Sequence, residues 1–149
     1  MSNVISTDHP LSDGERATLT VLLDTLIPPS EDGAMPGAGD LDLRVFMDNP
    51  LNPEFDAVVR NVLGELGENF ATLDSAAQET RVANLQTQSP ADFAALYMQT
   101  LAVYYQQDSV LRGIGSREGP PFPRGNEVID GDMSLLDPVV ANPKLYRPA

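Results

Sequence analysis

The chain contains no cysteine, one histidine (His9) and one lysine (Lys144). Without cysteine there are no disulfides, thiolate metal sites or iron–sulfur ligation. With His9 alone, in a loose N-terminal stretch, neither a histidine-built metal site nor a Ser-His-Asp triad with a well-held base is easily assembled. This inventory argues against catalysis and leaves no metal or cofactor site to assign in this chain. Positive charge is equally scarce: nine basic residues stand against 22 acids, for a net charge of −13. Such a chain repels nucleic-acid phosphates and anionic membranes, so nucleic-acid binding is not expected. No window approaches the ~18–20 apolar residues of a membrane span. No positively charged segment followed by an apolar stretch opens the chain, so no secretory signal is read and the cytoplasm is expected.

What is present is a single domain's worth of helical pattern. The 149 residues, 42% of them hydrophobic, suffice to bury about 68–70% of the surface an unfolded chain exposes. Residues 1–11 read as a flexible leader. Ser12-Asp13-Gly14-Glu15 is a capping box. Leu19, Leu22, Leu23 and Leu26 then give a helical stripe, which predicts a helix over 13–27 ended by Pro28 and Pro29. Asp24, within it, reads as a solvated position. The segment PPSEDGAMPGAGD, residues 28–40, reads as a Pro/Gly loop. It follows a helix and not a strand, so it lacks the context of a phosphate loop. Its acids Glu31, Asp32 and Asp40, with Asp42 just beyond, do not fit the spacing of a calcium loop. Asp40 is expected to cap a short helix, 41–48, with Leu43, Phe46 and Met47 inward.

Asn52 and Pro53 read as the cap and first residue of a third helix, 53–66, ended by Gly67. Its stripe is Phe55, Val58, Val59, Val62, Leu63 and Leu66. A fourth helix, capped by Asp74 or Ser75, runs to about Thr87 with Val82 and Leu85 inward. The fifth dominates the pattern. Ser89 caps it, Pro90 follows, and Phe93, Leu96, Tyr97, Thr100, Leu101 and Tyr104 form one broad apolar face. Ala94, Met98, Ala102 and Tyr105 widen it, leaving Asp92, Gln99 and Gln106 as the polar stripe. A helix so apolar round its circumference belongs in the middle of a bundle or under a partner. Asp108 begins a short sixth helical turn, Ser109–Arg112, stopped by Gly113 and Gly115. The expected fold is therefore all-α: a helical domain of about five helices over 12–115.

Residues 116–149 form a long irregular arm holding six of the thirteen prolines. Ten apolar side chains, among them Phe122, Met133, Leu136 and Val140, are too many to leave in water. The arm therefore packs on its own bundle or on another chain. Asp130-Gly131-Asp132 with Asp137 reads as a turn followed by a capped short segment rather than as a cation site.

The order Tyr104-Tyr105, Asp108, Val110, Gly113, Gly115, then Gly119-Pro120-Pro121-Phe122-Pro123-Arg124-Gly125 resembles the gluconate 2-dehydrogenase subunit 3 family. LTVLLDTLIPPSEDGAMPGAGD is similar to that family's opening helix and its Ile-Pro-Pro ending. The resemblance implies a non-catalytic small subunit that stabilises or helps mature a large one. That partner is a glucose-methanol-choline type dehydrogenase or oxidase carrying FAD and acting on an alcohol or sugar. In some complexes of the family a cytochrome c accepts the electrons. Members commonly carry a twin-arginine export signal, so the periplasm is the alternative compartment if a partner carries the signal or a leader was removed. Tyr105, Pro120, Pro121, Phe122, Pro123 and Arg124 are the expected partner contacts. A free-standing helical binding or chaperone module acting transiently on a client is the alternative function. An enzyme built on Tyr104 or Tyr105 with Asp108 lacks the cation needed to tune a tyrosine.

Overall fold

Ser12 starts the first helix as its residue type and spacing demand. Its hydroxyl accepts from the Glu15 amide and the Glu15 carboxylate accepts from the Ser12 amide at 2.8 Å, a closed capping box. Those hydrogen bonds from Ser12, with a smaller contribution from Arg60, hold the Glu15 carboxyl below its usual range. In the computed structural model, which describes residues 9–119 and 131–141, the protein is all-α. Helix α1 spans Asp13–Leu26, α2 Leu43–Met47, α3 Phe55–Leu66, α4 Ser75–Gln88, α5 Pro90–Tyr104 and α6 Asp108–Gly113. The chain divides into two compact units, Met1–Gly119 and Pro120–Ala149.

The first unit is a bundle. Helix α5 packs on α2, α3 and α4, and α1 packs on α3, α4 and two 3-10 turns, Ala38–Asp40 and Phe70–Thr72. The core joins Leu19, Leu22 and Leu23 of α1 to Val59, Val62 and Leu66 of α3 and to Leu96 and Val103 of α5. Phe46 and Phe55, both buried, meet edge to face with ring centroids 5.5 Å apart, the arrangement aromatic quadrupoles favour. Arg81 of α4 donates to the Leu66 carbonyl at 3.0 Å, satisfying an end of α3 that has no intrahelical partner.

Several local expectations are corrected. The cap of α2 is Asp42, whose carboxylate accepts from the Arg44 amide at 2.9 Å, because Ala38–Asp40 is itself a 3-10 turn. Helix α3 begins at Phe55 and not at Pro53. Asn52 turns the chain through its own side chain, accepting from the Glu54 amide, a bond that competes with helix. Of the two candidate caps for α4, Asp74 serves, accepting from the Ala77 amide. Ser89 does not cap α5 through its side chain; its hydroxyl donates to Glu65 of α3 instead. Residues 9–11, read as the end of the leader, are held to the bundle. Leu11 is buried, and Arg60 donates to the Pro10 carbonyl.

The second unit carries one piece of regular structure among its described residues. A 3-10 turn, Met133–Leu136, runs into α7, Asp137–Ala141, with Asp132 capping through a bond from the Ser134 amide at 3.0 Å. The capped short segment read from the sequence is thus present, inside an arm expected to be irregular.

Truncating the buried Phe46 to alanine removes its ring contact with Phe55 and leaves a cavity. The expected loss is about 3–5 kcal/mol, read as a shift of the urea midpoint. The exposed Val45→Ala, on the same short helix, is expected to move it by less than about 0.5 kcal/mol.

Candidate partner-binding surface

Helix α5 is clamped on one side by a loop that has almost no regular structure. After α1, residues 28–40 turn back under three tethers. The Asp24 carboxylate accepts from the Gly39 amide at 2.8 Å. The Ile27 carbonyl accepts from the Ala38 amide at 2.9 Å. The Tyr104 phenol of α5 donates to the Pro36 carbonyl at 2.7 Å. Asp24 is therefore a half-buried structural acceptor and not the solvated position expected. Gly37 and Gly39 let the backbone lie directly on its carboxylate; a Cβ at either would collide with the carboxylate oxygens. A second close approach fixes the other end of the loop. At Gly113, which ends α6, a Cβ would stand 2.8 Å from the Ala34 carbonyl oxygen and against the Met35 sulfur.

These tethers give physical roles to the residues that carry the family resemblance. Tyr104 binds the loop, Gly113 admits it, and Val110 is fully buried. Gly115 and Gly119 adopt positive φ, 74° and 81°, that other residues take only with strain. The Asp108 carboxylate accepts from the Gly119 amide at 2.9 Å, so the chain is held against the start of α6 where it leaves the bundle. Burial, with a smaller effect of neighbouring Tyr105, raises the Tyr104 phenol above its ordinary value. Tyr104 and Asp108 thus each have a structural partner of their own, the Pro36 carbonyl and the Gly119 amide.

The other side of α5 is left uncovered by the bundle's helices. Two of the helix's three polar-stripe residues are tied to neighbouring helices: Gln99 donates to the Phe46 carbonyl at 2.9 Å and Asp92 accepts from Asn61 of α3, while Gln106 stays exposed and donates to the Ala102 carbonyl of its own helix. Apolar side chains take the outer side. Ala94, Met98, Ala102 and Tyr105 recur along one face, with Tyr97 on its flank. Met98 is 65% exposed and Tyr105 51%. Of the two positions expected for this helix, the middle of a bundle or under a partner, the first is corrected. The bundle covers only the side bearing Leu96, Thr100, Val103 and Tyr104. Tyr97 stacks on Phe93 at 6.0 Å and Tyr105 meets Tyr104 edge to face at 5.3 Å, so both exposed rings are held from behind.

Of the contact residues expected from sequence, Tyr105 lies on this face. Pro120, Pro121, Phe122, Pro123 and Arg124 lie outside the described residues. Tyr97, read as part of the broad apolar face, and Met98, read as widening it round the side, are both outward-facing members of the surface. Gln99 as an inward tether was missed because periodicity alone does not reveal the carbonyl of Phe46 opposite it. Among the described residues no cluster of acids or histidine forms a metal site, and no helix is long and apolar enough to cross a membrane. The fold and surface define a small all-α bundle presenting an apolar, aromatic helix face. Scans against protein families, curated proteins and solved structures find no match.

Tyr104→Phe removes one buried hydrogen bond and leaves the Pro36 carbonyl without its donor. The expected cost is about 1–3 kcal/mol. A phenol whose folded pKa is raised stabilises fully below its unfolded value of about 10. That contribution is lost as pH rises through the higher folded value. Wild-type stability is therefore expected to fall in strong alkali, and the fall to be smaller in Tyr104→Phe, as followed by circular dichroism melts. Gly113→Ala drives a Cβ into backbone and is expected to cost about 1–3 kcal/mol, lowering the melting temperature.

Proposed function

We propose that the chain is a non-catalytic accessory subunit. Its exposed α5 face seats a larger flavin-dependent dehydrogenase or oxidase, as the resemblance to gluconate 2-dehydrogenase subunit 3 implies. The observation that carries the reading is that face itself. Between Pro90 and Gln107 the helix has one charged residue, Asp92, and that one is engaged by Asn61. A helix that ties Asp92 and Gln99 to its neighbours and shows Met98, Tyr97 and Tyr105 outward has the composition of an interface core, where aromatics and methionine are enriched and charge is depleted. The rings are braced by Phe93 and Tyr104, so little side-chain entropy remains to be lost on binding.

On this reading FAD and the reacting groups belong to the partner, which also sets the alcohol or sugar substrate and any cytochrome c acceptor. This chain supplies area and stability. Binding that favours the folded partner stabilises it in proportion to occupancy, which is how a small subunit helps a large one mature. The compartment is then the partner's: the cytoplasm, or the periplasm if the pair is exported together.

The test is purification of the tagged chain from its native host with an absorption spectrum of the eluate. A stable complex near one to one, yellow with flavin, is expected. A colourless lone chain overturns the reading. A client held without fixed stoichiometry points instead to the transient binding module. In the same assay Met98→Asp, a surface change, is expected to weaken the complex at least tenfold, as for a central interface residue, with the melting temperature unchanged.

A further inference from the structure

The described part of the second unit buries none of its large apolar side chains. Met133, Leu135, Leu136, Val139 and Val140 are 48–80% exposed. They are not scattered. Met133, Leu136 and Val140 fall at i, i+3 and i+7, the anchor spacing of a helix that lies in a groove, and Leu135 and Val139 flank them. The helical stretch Met133–Ala141 is nine residues long. Isolated helices shorter than about 12–15 residues are marginal in water, so its stability has to come from what it packs on.

We infer that Met133–Ala141 is a second, separate anchor that inserts as a helix into an apolar groove with a Lys/Arg rim on the same flavin-bearing large subunit; this rests on the accessory-subunit reading. Three observations choose that occupant over a second copy of this chain. Asp132 and Asp137 are the only charges between Gly131 and Ala141, so the groove that fits them is cationic at its edge. Each copy of this chain carries −13, which opposes pairing two of them through an acidic segment. The arm also leaves the bundle beside the proposed face. Gly119 is held to Asp108, three residues past Tyr105. Gly131 lies twelve residues further on, a span of at most about 40 Å when extended. A large subunit seated on α5 is within that reach. Two modest contacts joined by such a tether act in series: once α5 is docked, the second is intramolecular and its effective concentration is high.

The experiment uses the full-length chain and the purified large subunit. Wild type, Leu136→Asp/Val140→Asp and Met98→Asp are compared for affinity at low and high salt, for melting temperature and for self-association by light scattering. Amide exchange over 133–141 is measured with and without the large subunit. The double variant is expected to bind at least tenfold more weakly at unchanged melting temperature, with less salt dependence left. Exchange across 133–141 is expected to slow in the wild-type complex. Wild-type affinity in the double variant, with exchange unchanged, overturns the anchor while leaving the accessory-subunit reading intact. A lowered melting temperature of the free double variant overturns it by putting the segment on its own chain. A wild-type dimer lost in the variant overturns it in favour of a second copy. Failure of wild type to bind the large subunit at all overturns both readings.

Discussion

The arrangement depends on one carboxylate held against two glycines. Asp24 sits near the end of α1, and its carboxylate accepts from the Gly39 amide in a loop rich in proline and glycine. Ala38 is buried in the core and Met35 packs against it, but such short apolar contacts fix the loop only in part. The bond to Asp24, the Tyr104 bond to Pro36 and the fit of Gly113 under Ala34 give it a place. Once there, it covers the end of α1 and braces the C-terminal end of α5. The direction of α5, and which of its faces is left outside, follows from that brace and from the packing of Leu96, Thr100 and Val103 on the other helices.

Clamping one side of an almost uncharged helix leaves an apolar side in water. A bundle this small lacks the helices to surround α5. Its polar residues Asp92 and Gln99 are consumed in tying it to α3 and α2. The resulting exposure of Met98 and Tyr105 is costly in isolation and is removed if another surface covers them. The described part of the arm, Met133–Ala141, repeats the same condition on a smaller scale: regular enough to present apolar anchors, too short to hold them alone. In the accessory-subunit function proposed above, the partner would cover both surfaces.

Much of the bundle was legible in the residues. The capping box at Ser12, the stripe of α3 and its Gly67 stop, the α4 start at Asp74 or Ser75 and Pro90 at the start of α5 are local devices. Their chemistry is complete within about four residues, so spacing reveals them. The missed caps of α2 and α3 turned on local bonds, Asp42 with Arg44 and Asn52 with Glu54, but at Ser89 and Asp24 the partner lay far away in sequence. Ser89 has the residue type of a cap and bonds Glu65 of another helix instead. Asp24 looks like a surface acid until Gly37 and Gly39 are folded onto it. An acid in a helix that ends in Pro-Pro and is followed by Gly-x-Gly was the available signal.

The sequence by itself determined the class: an all-α chain, strongly acidic, without cysteine and with no long apolar run, whose helices start and stop at caps, prolines and glycines. These are properties of short segments and of composition, and they hold in any packing. Only the tertiary structure decided which side of α5 is buried. Hydrophobic periodicity reports how much of a helix is apolar, not how many neighbours there are to cover it. With α2, α3 and α4 on one side and none of the bundle's helices over Met98 and Tyr105, the helix that periodicity put either in the middle of a bundle or under a partner has a face left outside the bundle.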